Sequence, residues 1–514
     1  MYDAVSRHHF EMDDGRVPEL EKINKNDTEK ENENKDDYNS DNSPSPFRRQ
    51  AFMSFGVFMM TLGAGATSGI AAILIPQLKH GKGKHKFSVE LVSWVAAISC
   101  LALFFGNLIS GYLMERFGRR RSMLALSIFF ILGWAIIGFA NDLISLILIG
   151  RFITGICQGW LGPLGPVFVG EISSPIYRGF FLASLSLSIA VGVFLSHLFG
   201  TILHWSYASL LCGLFPLIGG IMVFNVPESP AWLASRNRID DCIASFKWYR
   251  GASAAMKNEL DKMLAEQTKK DKTRGKIEML RENIKKPEFY KPLAIMTVFF
   301  ATTQLSGVNV ICAYTTDMMK VLIGNSSSRS HEYVAMLSID ILRCVSLAIA
   351  CVLLRKSGRR PMALFSGTCT CISLIGLALY LYLLENGTIH HKSAIVSLGL
   401  MAFYITVSHL GIAPLPWNMV GELFAVETKG LGSGVSVMMT SIAFFGTVKT
   451  APAMFESIGH HGAYLFYGVS TLCGTIFLYF FLPETKNKTL LQIEEYFRYG
   501  KKKPMNNIKD DNHV

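Results

Sequence analysis

Two amides and a hydroxyl stand in the middle of an apolar run. The run extends from about Leu293 to Met319, and its centre holds Gln304, Ser306, Gly307 and Asn309. Gln304 and Asn309 each carry a donor and an acceptor, which suits a hydroxyl-rich solute. Uncharged polar groups in hydrocarbon cost free energy unless they find partners. Two chemistries fit this stretch: gripping a solute, or tying one membrane helix to another. Gly307 weakens the helix locally and admits a close neighbour.

A second set of residues is ionic. Glu115, Arg116, Arg119 and Arg120 follow one apolar run, and Glu171 and Arg178 follow another. Arg359 and Arg360, then Glu422 and Lys429, repeat the pattern later, while Glu228 and Glu484 stand in Pro-Glu-Ser and Pro-Glu-Thr. Such groups hold neighbouring helix ends together and set topology. The sequence contains no Gly-x-x-x-x-Gly-Lys-Ser/Thr, no Cys-x-x-Cys and no Cys/His pair at metal spacing. No cofactor or metal is expected, and the chain does not read as an enzyme.

The elements that position these residues follow from composition. Half of the 514 residues are hydrophobic and only 17% are charged, with mean hydropathy +0.31. The charges are bunched between long apolar runs, the pattern of a polytopic membrane protein. Twelve spans are expected, at roughly 51–78, 91–114, 123–140, 143–168, 180–203, 207–226, 293–319, 334–354, 362–384, 395–420, 432–448 and 463–482. The net charge of +11 does not point to nucleic acid, because the basic residues sit at span ends rather than on one soluble face. They place both termini and the charged connections in the cytoplasm. Lys79, Lys82, Lys84 and Lys86 dissent from this arrangement. Nine of ten cysteines fall within spans and Cys242 lies in a cytoplasmic segment, so no structural disulfide is expected.

The motifs repeat. Gly-Arg-Arg recurs at an offset of 240 (119 to 359), Gly-Glu at 251 (171 to 422) and Pro-Glu at 256 (228 to 484). Three pairs in one order at nearly one spacing indicate an internal repeat of six spans per half. Two parallel halves place a solute site near the bilayer midplane, at their interface. The expected architecture is therefore an all-α membrane protein, with twelve transmembrane helices in two six-helix pseudo-repeat bundles and a cytoplasmic helical linker. Its parts are a disordered tail (1–50), a first bundle (51–226), the linker (227–290), a second bundle (291–482) and a final tail (483–514). Two sequons, at Asn325 and Asn386, fall in expected outer loops and are glycosylation candidates.

The ordered motifs GYLMERFGRR, GRFITGICQG, PVFVGEISSPIYRG, VPESPAWL, QLSGVN, PLPWNMVGELF and LPETKNKTL resemble the sugar porter branch of the major facilitator superfamily over residues 51–490. SWVAAI, VKT and HHGAYLFYG are similar to insect trehalose transporters. The resemblance implies sugar-binding positions at Gln304 and Asn309, flanked by Thr303 and Tyr314, and a ring-contact position at Trp417. It implies gating at the Pro414 and Pro416 helix break. It also implies a cytoplasmic charge network of Glu115, Arg116, Arg119, Arg120, Arg151, Glu171, Arg178, Glu228, Arg359, Arg360, Glu422, Lys429 and Glu484. Arg151 is expected to meet an acid near the cytoplasmic end, and carboxylate bridges between the halves are expected to hold the inner side shut and to break on inward opening.

Several positions depart from the family: Ser186, Thr303 and Ala313, Arg343 in span eight, and His409 in span ten. Asp340 lies three residues before Arg343 and is expected to pair with it. The implied function is a plasma-membrane sugar carrier acting as a monomer, a facilitator for trehalose or a hexose. Proton-coupled relatives carry an acid in span one, and residues 51–78 hold none. A proton-coupled symporter, a non-transporting sugar sensor and an organic-anion carrier are the alternatives.

Overall fold

Twelve stretches are long and apolar enough to cross a membrane, and the computed structural model makes each of them helical. It describes residues 46–79, 88–141, 143–251, 260–261, 263–264, 285–324, 329–390, 393–424, 429–486, 488 and 490–499. The expected tail lies outside these residues up to position 45, as do Asn325, residues 265–284 of the expected linker and most of the dissenting lysine loop. Residues 49–514 form one unit, which everything below concerns apart from the first turn of the opening helix.

Span one is helix α1 (Pro46–Gly69) continued by α2 (Ala71–Lys79). The helix thus starts at Pro46, inside the expected tail, where proline's fixed φ suits a first turn. Spans two to six are α3 (Val89–Phe117), α4 (Arg119–Gly138), α5 (Ile144–Ile172), α6 (Pro175–Ile202) and α7 (Trp205–Phe224). The linker contributes α8 (Pro230–Ser235) and α9 (Ile239–Arg250). Trp232, Leu233, Cys242 and Phe246 bury a small core there together with Leu260.

Span seven is α10 (Pro287–Leu305) and α11 (Val308–Ile323), interrupted between them. Spans eight and nine are α12 (Arg329–Lys356) and α13 (Arg359–Glu385). Span ten is α14 (Ala394–Leu410) followed by the short α15 (Leu415–Met419). Spans eleven and twelve are α16 (Lys429–Ser457) and α17 (Gly459–Phe481), and α18 (Leu490–Tyr499) follows.

Each half packs around its own helix pairs: α3 on α5 and α4 on α7 in the first, α13 on α17 and α10 on α16 in the second. The halves meet through α3 on α16, α6 on α12 and α2 on α11. Small residues allow the closest approaches, as they do generally in membranes. On α5, a Cβ at Gly155 would lie 2.7 Å from the Ser99 Cα, and one at Gly159 would lie 2.9 Å from the Asn107 amide nitrogen. Asn386 caps the end of α13 and is exposed.

Candidate functional site: a broken-helix interface between two halves

Three spans break where the halves face each other. In span seven the break falls at Ser306-Gly307, and Gly307 takes φ +79, a left-handed conformation that glycine tolerates best. In span ten the helix stops at Leu410 and resumes at Leu415. Pro414 and Pro416 remove donors there, and the Ser366 hydroxyl accepts from the Ile412 amide at 2.8 Å. Span one breaks at Ile70, where Ile73 donates to Ile70 O instead of reaching Gly69 O. Breaks of this kind release backbone carbonyls inside the protein, where a buried acceptor needs a donor.

Those carbonyls organise the interior. Tyr404 donates to Ser306 O at 2.7 Å and Thr303 to Ile412 O at 2.8 Å. Tyr314, itself at a kink (φ −126), donates to Val448 O at 3.1 Å. Thr303 and Tyr314 thus use their hydroxyls to fasten span seven to spans ten and eleven. The amides behave differently. Asn309 Nδ2 donates to Gln304 Oε1 at 2.7 Å. No other hydrogen bond reaches either amide among the described residues, which leaves Gln304 Nε2 and Asn309 Oδ1 to offer. Trp417 is 47% exposed and packs edge-on against Phe300 at 5.1 Å. Its neighbours Pro414 and Asn418, rather than the indole, line a cleft of about 430 Å³.

That cleft separates the halves at one end of the bundle. Ser186 and Ala183 of α6 face Leu347, Ala350, Arg359 and Glu422 across it. At the opposite end the halves touch. Thr316 Oγ1 donates to Ala72 O at 2.8 Å. Lys449 Nζ donates to Ser93 Oγ at 2.6 Å and lies 4.2 Å from the centre of the Trp94 ring. The molecule is therefore open at the charged end and closed at the far end.

The charged end shows the internal repeat in its hydrogen bonds. In the first half Arg119 Nη2 meets Glu171 Oε1 at 2.8 Å, and the Ser229 hydroxyl donates to the other Glu171 oxygen. In the second, Arg359 Nη2 meets Glu422 Oε1 at 3.0 Å, and Thr485 donates to Glu422 Oε2 at 2.5 Å. Glu228 accepts from the amides of Arg119 and Arg120 at 2.8 Å each, capping α4. Glu484 accepts from those of Arg359 and Arg360 at 2.9 and 3.1 Å, capping α13. A carboxylate at a helix N-terminus gains from the oriented N–H groups.

With the charged end open, these carboxylates bridge within each half among the described residues, because each Pro-Glu and Gly-Glu motif folds back on the Gly-Arg-Arg turn of its own repeat. Bridges between halves, expected to hold that end shut, belong to the closed arrangement. Among the described residues, Arg116 donates to Tyr112 OH and Arg178 to Ser173 O, and neither meets a carboxylate. The Glu115 carbonyl accepts from Trp232 Nε1. The Lys429 side chain lies outside the described residues. Arg250, which sequence reasoning missed, ties α9 to the end of α5 through the carbonyls of Glu171 and Ser173 at 3.2 and 2.9 Å. Its only signal was an arginine closing an amphipathic helix.

Glu484 yields a pH prediction. Burial tends to raise its carboxyl. The backbone N–H groups of Lys486, Arg359, Arg360 and Thr485 outweigh that and hold it below its ordinary value. A depressed carboxyl stabilises the fold above the ordinary range, and the contribution is lost as pH falls through the depressed value. Glu484→Gln should melt below the parent near neutrality. The gap should close as pH falls below about 4, read by thermal unfolding of purified protein.

Arg151 corrects an expectation. It is buried, and it donates to Thr67 O at 3.3 Å, Ala96 O at 3.1 Å and Ser99 Oγ at 2.9 Å. No acid meets it among the described residues. It also stands twenty residues before Glu171 on one helix, about 30 Å from the charged end. Arg343 meets Asp340 at 3.0 Å as expected, and Asp340 also meets His197 of the first half at 2.5 Å. Sequence reasoning did not single out His197; a titratable residue inside a span was the available signal.

The comparisons agree with this architecture. The model for the sugar (and other) transporter family matches residues 49–497. A facilitated trehalose transporter Tret1 of Apis mellifera ligustica is 28% identical over 463 residues, covering 88% of this chain and 89% of its own length. The Bombyx mori protein of that name is 26% identical, covering 95% and 94%. For the Drosophila grimshawi protein of that name, 29% identical, the match spans 48% of its length and 89% of this chain. The inward-open xylose transporter XylE from E. coli shares the fold at a TM-score of 0.71 and 18% identity, over 88% of this chain and 99% of its own. With the family match running through both six-span halves and the linker between them, the chain belongs to the sugar (and other) transporter family.

Proposed function

We propose that this protein carries a sugar across the plasma membrane by alternating access, as a facilitator for trehalose or a hexose. One observation carries the reading: the Gln304–Asn309 pair, set at a helix break between two halves, keeps the Gln304 Nε2 donor group and the Asn309 Oδ1 acceptor unspent. A sugar hydroxyl both donates and accepts, so it completes that pair. Family membership, and relatives that bear the name of trehalose transporters, support a sugar as the solute. The positive-inside bias makes the charged end cytoplasmic, so the cleft is the inward-facing access path and the far end is the closed outer gate. The residues of span one offer no carboxylate, which favours facilitation over proton-driven accumulation.

The test is uptake of labelled trehalose, glucose and fructose into proteoliposomes, with and without a protonophore. Saturable uptake of at least one sugar, unaffected by the protonophore, is expected. Uphill uptake driven by an inward proton gradient would overturn facilitation, and absence of flux for all three sugars would overturn carriage of these sugars.

A further inference from the structure

The His197 ring lies between two oxygens that face it from opposite halves of the molecule. Its Nδ1 is 2.5 Å from Asp340 Oδ2 on α12, and its Nε2 is 3.0 Å from Gly69 O on α1. His197 and Asp340 have no exposed side-chain surface. A backbone carbonyl can only accept, so Nε2 must carry a hydrogen. A carboxylate can also only accept, so the Nδ1–Oδ2 contact needs a hydrogen too. A neutral imidazole has one N–H and cannot supply both. The contact therefore closes only with one additional proton, held either as imidazolium against carboxylate or as carboxylic acid against neutral imidazole.

The bond is also one that outer opening must break. His197 lies on α6 and Asp340 on α12, helices that pack across the interface between halves. Once they part, each side has a partner without the extra proton. His197 keeps its single N–H on Gly69 O, because both belong to the first half. Asp340 keeps Arg343, one turn away on its own helix. Among the described residues, no other group nearby supplies the proton. Arg343 stays charged. Cys312 of span seven donates to Val308 O, and Tyr404 of span ten donates to Ser306 O. His409 of span ten turns Nδ1 toward Ile405 O at 2.9 Å, a contact that one N–H satisfies. Cys344 beside Arg343 completes the set.

We infer that His197 and Asp340 form a proton-binding site between the halves, occupied while the outer gate is closed and emptied when it opens. On opening, the N–H···O link breaks and the proton passes to outer water as hydronium. It leaves neutral imidazole and a carboxylate paired with Arg343. On closing, the proton is taken up again from the same side. No proton crosses, so the site sets how access depends on pH without coupling transport to a gradient. The inference rests on the alternating-access reading.

By linkage, a state holding one more proton gains up to about tenfold in its ratio for each unit of falling pH. The experiment uses nitroxide labels at Ile202→Cys on α6 and Val334→Cys on α12, both exposed positions near the far end. The partly exposed native cysteines at 344, 351, 369 and 473 are replaced by serine. Pulsed dipolar distances are recorded in nanodiscs without sugar, from about pH 8 to about pH 5, the range in which histidine ordinarily titrates.

The fraction of molecules at the short, outer-closed distance should rise steeply as pH falls in the parent, and the dependence should vanish in His197→Gln. A flat series in the parent, or an unchanged slope in His197→Gln, overturns the inference. If His197→Gln does not fold, Asp340→Asn takes its place: a flat series supports the site, and the parental slope overturns it. Because no sugar is present, a failure here leaves sugar carriage standing. A failure of sugar flux leaves this readout intact.

Discussion

Gly155→Leu should leave little folded carrier to purify. The position sits where α5 crosses α3, and a Cβ there would already lie 2.7 Å from the Ser99 Cα and 2.8 Å from the Ala102 Cβ. Backbone cannot swing aside as a side-chain tip can. Ordinary overpacking costs about 1–3 kcal/mol, but this substitution does more. Pushing α3 away strips Arg151 of Ala96 O and Ser99 Oγ. A buried charge deprived of its partners adds about 3–5 kcal/mol. The sum is a large part of a typical fold's total stability. Fluorescence-detected size exclusion should show aggregate in place of the parental peak. Gly111→Leu is the control: nothing lies within 4 Å of a Cβ there, and its peak should match the parent's. A monodisperse Gly155→Leu peak with the parental melting temperature would show that α3 and α5 are not packed this closely.

Asn309→Ala should raise the KM for the transported sugar by roughly ten- to a hundredfold, the equivalent of about 1–3 kcal/mol for losing a buried hydrogen-bond partner. It removes the donor that orients Gln304 along with the free Oδ1. Gln304→Ala should do the same from the other side. If the amides served only to tie helices together, both variants would lower thermal stability and leave KM untouched. Measuring the two quantities on one preparation separates these cases. The double variant should cost less than the sum of the singles, since the residues share a bond.

The architecture was legible because its signals are redundant. Twelve apolar runs and three repeated motif pairs each point to two six-helix halves. The breaks at Gly307 and at Pro414 and Pro416 were legible too, since glycine and proline act on the backbone directly. The break at Ile70 was not. It lies in a glycine-rich segment where no residue demands it, and packing decides. The charge pairings were not legible for a different reason. A repeat offers each arginine two equivalent carboxylates, one in each half, and only the fold selects the near one. Arg151 misled because a buried arginine argues for an acid, whereas here the acceptors are Thr67 O, Ala96 O and Ser99 Oγ. His197 was invisible as a partner of Asp340, which lies 143 positions away. Pairing across that distance is written only in the packing of α6 on α12.

The carbonyls at or beside the breaks have a consequence for variation. Thr67 O, Gly69 O, Ser306 O and Ile412 O accept from Arg151, His197, Tyr404 and Thr303. An acceptor of this kind belongs to the main chain, so no point substitution deletes it. A mutational scan should therefore be lopsided. The four donor positions should be intolerant, while the acceptor positions accept any side chain that fits the space and backbone shape. Half of each contact is then shielded from drift. A chain built this way can exchange most of its side chains and still close its interior at the same places.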